Sequence, residues 1–401
     1  MTTAEPPLKG VTVVDISSSY AAPTTSMYLG DMGADVIKIE PVWGDDARGW
    51  GPPFVNGEAA WFLSVNRNKR SLCLDIRAEA GRDVLFRLLE TADVFIENLN
   101  PAKLAKHGLD LQELSDRFPR LVICALSGFG MTGPDSALPG YDLIAQARSG
   151  MMSVTGENGM PTRVSTALSD VAAGTVAAYA VAAALVRQQR TGQGEIIDIS
   201  LLEADLAFMA PRIASYLAGE PEPEPCGGTD SVVAIYQRFE TVDRPVVVAV
   251  GNDRLWTKAC AALGLDELGS DPDLATNAGR RARRTEVVDR IQNELARLTS
   301  TEALAALQSA GVPCSLILSL SEVVGDPQVL DRDAIVEQVH PVAGPVRLVA
   351  NPWVLGSAKD ARVRSTPAPS RGEHGRQILA EAGMADDQVQ ELMTAGVVWT
   401  P

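Results

Sequence analysis

Two short β-branched runs open the chain, at residues 11–16 and 36–40, with a helical segment at 23–33 between them. Pro23 falls near the first turn of that segment, where proline costs no intrahelical hydrogen bond. Strand, helix, strand makes a βαβ unit. The rhythm continues with a helix over 79–89, a strand at 94–96, a helix at 111–117 and a strand at 121–127. Strands that alternate with helices predict a mostly parallel sheet. A longer Ala-rich helix is expected over 171–189, closed by the Thr191-Gly192-Gln193-Gly194 turn, and 195–200 alternates like a strand.

Residues 219–228 (GEPEPEPCGG) alternate proline with glutamate and end in two glycines, so they read as a linker or crossing loop. A second rhythm starts beyond them: a strand at 246–250, helices at 254–263, 284–298 and 301–310, the turn Gly311-Val312-Pro313, and a strand at 315–318. This is a smaller α+β domain. After Asp326-Pro327 a Pro/Gly/Val-rich stretch suggests irregular strands, and a closing helical segment is expected over 373–392. The domain plan is therefore a large α/β domain from 1–204, a linker at 205–229, the small domain at 230–320, a second linker at 321–345, and 346–401 completing the large domain.

Composition narrows the function. The 401 residues carry 35 Lys+Arg against 51 Asp+Glu, a formal charge of −16, which argues against nucleic acid or an anionic membrane as partner. With 46% apolar and 21% charged residues the chain has ample material for more than one core, and disorder is not its default state. Five cysteines without a C-x-x-C pair, and an N-terminus without an apolar h-region, suggest a reduced cytoplasmic protein. The uncharged run at 171–186 has 16 residues, eight of them alanine, and reads as a buried helix rather than a membrane span. His107, His340 and His374 are scattered without metal-ligand spacing, so no metal site is expected.

Several segments could carry chemistry. The turn Ser17-Ser18-Ser19-Tyr20-Ala21-Ala22-Pro23 puts hydroxyls and small residues ahead of a helix N-terminus, which suits an anion or plain capping. It lacks the G-x-G-x-x-G fingerprint, so a dehydrogenase with Glu40 on the ribose has little support. Asn66-Arg67-Asn68-Lys69-Arg70-Ser71 gathers three positive charges in an acidic chain, a phosphate-holding loop or a solvated turn. The run Arg280-Arg281-Ala282-Arg283-Arg284 has acidic neighbours and reads as a solvated helix start. Ser169-Asp170 directly precedes the Ala-rich helix. There a carboxylate caps orphan N–H groups or, held ionised by the same N–H groups and dipole, serves as a nucleophile. No G-x-S-x-G elbow, P-loop lysine motif or H-E-x-x-H is present.

Taken together, LKGVTVVDISSSYAAP, LGDMGADVIKIE, NRNKRSLCLD, ADVFIENLNP, PGYDLIAQARSGMMSVTG, ALSDVAAG and RTGQG resemble the class III CoA-transferase family, in that family's order from residue 8 to about 200. VVVAVGNDRLW, AGVPCSLILSLSEVVGDP and Gly372-Glu373-His374 extend the likeness over nearly the whole chain. The resemblance implies an enzyme that moves CoA between an acyl-CoA thioester and a free, small or dicarboxylic acid. Asp170, in the S/G-D-x-x-x-G segment, would be the nucleophile, passing through a mixed anhydride and an aspartyl-CoA thioester. CoA would be substrate, with no permanently bound cofactor. By the same resemblance Tyr20, Ala21, Asn66, Arg67, Asn68, Lys69, Asn98 and Lys106 line the CoA site and Pro139, Gly140, Tyr141 and Asp142 its pantetheine end. Arg70 joins them on charge grounds. The family's racemases have histidine where this chain has Tyr141, so the chain sides with the transferases, and Tyr141 belongs to the catalytic set. Formyl-CoA transferase has a longer glycine-rich loop than Cys226-Gly227-Gly228. The alternatives are a 2-methylacyl-CoA racemase and a CoA-binding protein without turnover. The implied fold is a Rossmann-like large domain and a smaller α+β domain, two protomers interlocking as a homodimer.

Overall fold

The computed structural model of the chain describes residues 5–355 and 366–401. Its main sheet contains six parallel strands, β1 Thr12–Asp15, β2 Asp35–Glu40, β3 Lys69–Leu74, β4 Val94–Glu97, β5 Val122–Ser127 and β6 Ile196–Ser200, in the order β6-β5-β4-β1-β2-β3. Val398–Trp399 adds an antiparallel edge beside β3. The strands read as runs of Val, Ile, Leu and Phe because both faces are covered: β5 is buried at every position. The order places the switch point of this doubly wound sheet between β1 and β4.

On one face Leu85, Leu88 and Leu89 of helix Glu79–Leu89 pack with Val14, Ile37, Phe95 and Ile123 from the strands and with Ile378 and Leu379 from the C-terminal region. On the other lie α1 (Ala21–Asp31), α2 (Asp142–Arg148), α3 (Leu168–Thr191) and α4 (Leu201–Leu217), contributing Ala22, Leu29, Ala145, Ala173, Ala177, Val181 and Ala204. Small side chains let α3 approach closely. A Cβ on Gly174 would stand 2.5 Å from the Ala21 carbonyl oxygen and 2.8 Å from Thr24 Cβ, so only glycine fits where α3 crosses α1. The Thr25 hydroxyl donates to the Gly174 carbonyl at 3.2 Å in the same contact.

The chain divides into two compact units, one of residues 1–151, 164–218 and 327–401, the other of 152–163 and 219–326. In the second, Tyr236–Phe239, Val246–Ala249 and Cys314–Leu316 form an antiparallel sheet over helices Asp253–Ala262, Arg284–Leu295 and Ser300–Ser309. Phe239, Val246, Trp256, Ile291 and Leu307 fill its core.

Several expectations shift. Residues 205–217, expected as linker, are helical, since α4 runs on to Leu217. The closing segment is two helices, Gly375–Glu381 and Asp386–Thr394, with Gly383 at φ 76° between them. The stretch after Asp326 forms a regular antiparallel ribbon, Ile335–His340 with Gly344–Val349; residues 356–365 of the expected C-terminal part lie outside the described residues. Arg280 is not solvated. It is 1% exposed, donating to Asp253 at 2.6 Å and to the carbonyls of Leu274 and Ala275.

Candidate active site

The carboxyl ends of β1 and β4 meet at the switch point, where an open α/β sheet offers a crevice to a ligand. Asn98 bridges the two ends: its Oδ1 accepts from Ser18 N–H at 3.1 Å and its Nδ2 donates to the Ser18 carbonyl at 2.8 Å. Tyr20 caps α1 without a side-chain hydrogen bond, so among the described residues no cap side chain claims the first-turn N–H groups of that helix. Its ring meets Trp61 edge-on at 5.2 Å, and Trp61 in turn meets Trp50. Tyr20, Ala21 and Asn98, expected together from the resemblance, do converge here.

Beneath this turn lies a charge network that the sequence did not disclose. Asp15 accepts from Ser17 N–H at 2.8 Å and from the Ser17 and Ser26 hydroxyls at 2.5 Å each. Lys38, fully buried, donates to the Ser17 carbonyl at 2.9 Å and pairs with Asp45 at 2.8 Å. Asp45 also receives Ser19 N–H at 3.4 Å, which helps hold Ser19 at φ 73°. Burial alone would push the Asp45 carboxyl up, but Lys38 and the backbone donors leave it below its ordinary value. Glu40 is also buried. It accepts both forks of Arg48 at 2.7 Å and the Ser71 hydroxyl at 2.6 Å, so it faces no ribose and the dehydrogenase reading falls.

The basic loop proves to be part of the framework. Arg67 is 3% exposed and forks onto Asp31 at 2.8 and 2.6 Å, while Asn68 donates to the same carboxylate. Lys69 donates to the Pro23 carbonyl and to Asn66 Oδ1, both at 2.9 Å, and burial pushes its ammonium down to about 7 despite Asp15 3.5 Å away. Arg70 spans Asp35 and Glu381 at 2.5 and 2.7 Å. The three cations expected for phosphates are thus engaged within the unit. Three charges so close in sequence read alike whether they face solvent or the interior, and only the distant partners Asp31, Asp35 and Glu381 decide it. Lys106 and Pro139 are exposed. Gly140 lies against Gly128, where a Cβ would stand 2.4 Å from the neighbouring Cα.

Asp170 is not a helix cap. Helix α3 begins at Leu168 with Ala167 as N-cap, which puts Asp170 in the third helical position. The start is stabilised from outside instead. Buried Asp142 accepts Ser169 N–H at 2.9 Å on one oxygen and Gln146 Nε2 at 2.9 Å on the other, while Gln146 Oε1 accepts Val164 N–H at 2.8 Å. Ser169 then donates its hydroxyl to Asp205 Oδ2 at 2.7 Å. Asp170 itself is half-buried and makes no side-chain hydrogen bond among the described residues. Burial, then the carboxylates of Asp142 and Asp205, push it up to about 7, so it is not held ionised by the helix end as expected. Tyr141, 62% exposed, caps α2 with no side-chain bond. Asp205 went unread, although a carboxyl between buried Leu201 and Met209 on one face of α4 was a usable signal.

The family described as CoA-transferase family III matches residues 8–375. The chain belongs to this family. It is an enzyme of the CoA-transferase type. Among its relatives, the human succinyl-CoA:glutarate CoA-transferase is 38% identical, with 98% of this chain and 90% of that protein aligned. The acetyl-CoA:oxalate CoA-transferase of Acetobacter aceti is 34% identical over 94% of this chain and 95% of its own length. A CAIB/BAIF family protein from Brucella suis has the same fold in its crystal structure, with TM-score 0.81, 35% identity, and coverage of 94% of this chain and 100% of that one.

Proposed function

We propose that this enzyme transfers CoA between an acyl-CoA thioester and a free dicarboxylic acid through covalent intermediates on Asp170. The observation that carries the reading is the Asp170 carboxyl itself, an acid without a hydrogen-bond partner among the described residues, in the first turn of α3 and one turn from the glycine contact with α1. A carboxylate without hydrogen bonds is a stronger nucleophile than one already satisfied, and a value raised toward 7 sharpens it further. Asp170 would attack the thioester carbonyl to give an acyl-aspartyl anhydride and CoA thiolate. The thiolate then attacks the aspartyl carbonyl, releasing the first acid and leaving aspartyl-CoA, which an incoming carboxylate resolves by the reverse steps. The first-turn N–H groups of α1 are the donors at hand for the transient oxyanions. Tyr20, Ala21 and Asn98 at the switch point, with exposed Lys106 and the Pro139–Tyr141 segment, are the CoA contacts the geometry supports best, whereas Asp142, expected with them, is buried and engaged by Ser169 and Gln146. The dicarboxylic class rests on the acids named for the relatives that act on glutarate, oxalate and D-citramalate.

We also propose the two compact units as the large and small domains of an interlocked homodimer. Val176, Tyr179 and Val186 of α3 and Leu206, Phe208, Tyr216 and Leu217 of α4 are exposed apolar side chains that a second copy would cover. The test of the chemistry is peptide mass spectrometry after succinyl-CoA and hydroxylamine, in wild type and Asp170→Ala. A hydroxamate on the Asp170 peptide, absent from the variant, is the expected result; no label on any acyl-CoA tried would sink the covalent reading.

A further inference from the structure

Asp205 is fully buried on α4, with apolar Leu201 and Met209 one turn to either side. Its Oδ2 accepts from the Ser169 hydroxyl at 2.7 Å and lies 3.4 Å from the Ser149 hydroxyl. Its Oδ1 has no hydrogen-bond partner among the described residues, a state that buried polar atoms seldom hold without a reason. Ser169 precedes Asp170 directly, and its N–H is taken by Asp142. The first turn of α3 is therefore clamped from two elements, α2 through the backbone and α4 through the hydroxyl. A neutral asparagine at position 205 would accept the same hydrogen bond. The clamp alone does not call for a carboxyl, and what a carboxyl adds is negative charge beside the nucleophile.

Resting on the reading of Asp170 as nucleophile, we propose that Asp205 is a positioning residue for the covalent step: through Ser169 it fixes the turn that carries Asp170, and in its ionised form it repels the Asp170 carboxylate until that group is acylated. In the step an Asp170 oxygen bonds to the thioester carbonyl carbon, the C–S bond breaks, and its electron pair leaves with sulfur as CoA thiolate. Negative charge leaves Asp170, on which the Asp142 and Asp205 carboxyls act, so the repulsion is relieved as the anhydride forms. Burial, with the Asp142 carboxylate, raises the Asp205 carboxyl above its ordinary value, while the Ser169 and Ser149 hydroxyls directed at Oδ2 pull it back toward the anion. Among the described residues, the acidic groups acting on Asp170 are Asp142 from α2 and Asp205 from α4, while the first turn of α1, the helix crossing α3 at Gly174, carries no acidic residue.

The experiment is the succinyl-CoA and hydroxylamine labelling of Asp170, followed as a rate between about pH 5 and pH 9. In wild type the rate rises through a midpoint at about 7. In Asp205→Asn the midpoint moves to lower pH by about one unit and the plateau rate falls several-fold, and Asp205→Glu restores the wild-type midpoint. A profile of Asp205→Asn that superimposes on wild type overturns the proposal and leaves Asp205 a packing residue. Absence of label in wild type is a different outcome, which removes the nucleophile assignment itself. If Asp205→Asn does not fold, Ser169→Ala carries the test: it breaks the link while keeping both carboxyls, and a plateau rate equal to wild type overturns the positioning role.

Discussion

Asp170 and Arg67 show how burial sorts charged residues into different work. Asp170 is raised to about 7 in the fold, against roughly 4 when unfolded, so the native chain binds the extra proton between those values. Stability contributed by this residue therefore falls as pH rises from about 4 through 7. Asp170→Asn removes that dependence: its thermal midpoint should exceed wild type at pH 8 and converge with it near pH 4, while turnover drops by about 10³-fold or more. Arg67 sits at the opposite extreme, in a buried pair with Asp31. Arg67→Ala strands that carboxylate and should cost about 3–5 kcal/mol in urea denaturation. Where the variant remains folded, KM for the CoA substrate should change by about twofold or less, whereas a phosphate ligand would raise it by about tenfold.

Elements place the site through close backbone contacts. Asp170 and Gly174 are one turn apart on one face of α3, so the glycine that lets α3 touch α1 also sets where the carboxyl stands. Gly174→Ala should destabilise by about 1–3 kcal/mol and lower kcat with it, as read by thermal unfolding and steady-state kinetics on the same sample. The D-x-x-x-G spacing thus has a packing reason that needs no chemistry. Gly140 plays the same part where its loop meets Gly128. Gly140→Ala should push apart the segment leading into Tyr141 and Asp142, slowing turnover more than it lowers the thermal midpoint. The βα rhythm that orders these elements was legible because both-faced burial writes continuous apolar strands. The start of α3 was misplaced because its capping partner, Asp142, is distant in sequence.

At the scale of the molecule, an acidic chain of 42.5 kDa leaves apolar side chains of α3 and α4 uncovered. Sedimentation equilibrium should give about 85 kDa, twice the chain mass. A single 42.5 kDa species across the micromolar range would remove the dimer. A Tyr179→Glu and Phe208→Glu double variant should shift the balance toward monomer, because the charges would be buried unpaired in the contact.

Local pattern by itself determined the alternation of strands and helices, the parallel sheet and the second α+β unit, since each follows from periodicity within a short window. Motif order pointed to Asp170, Tyr20 and Asn98. What tertiary structure alone decided is which charges are spent inside. Arg67, Lys69, Arg70 and Glu40 find partners on other elements, some far along the chain, and Asp142 and Asp205 converge on Ser169 from two different helices. Coulomb attraction and desolvation depend on distances of a few ångströms that no spacing in the chain encodes, so the electrostatics of the site emerged only with the fold.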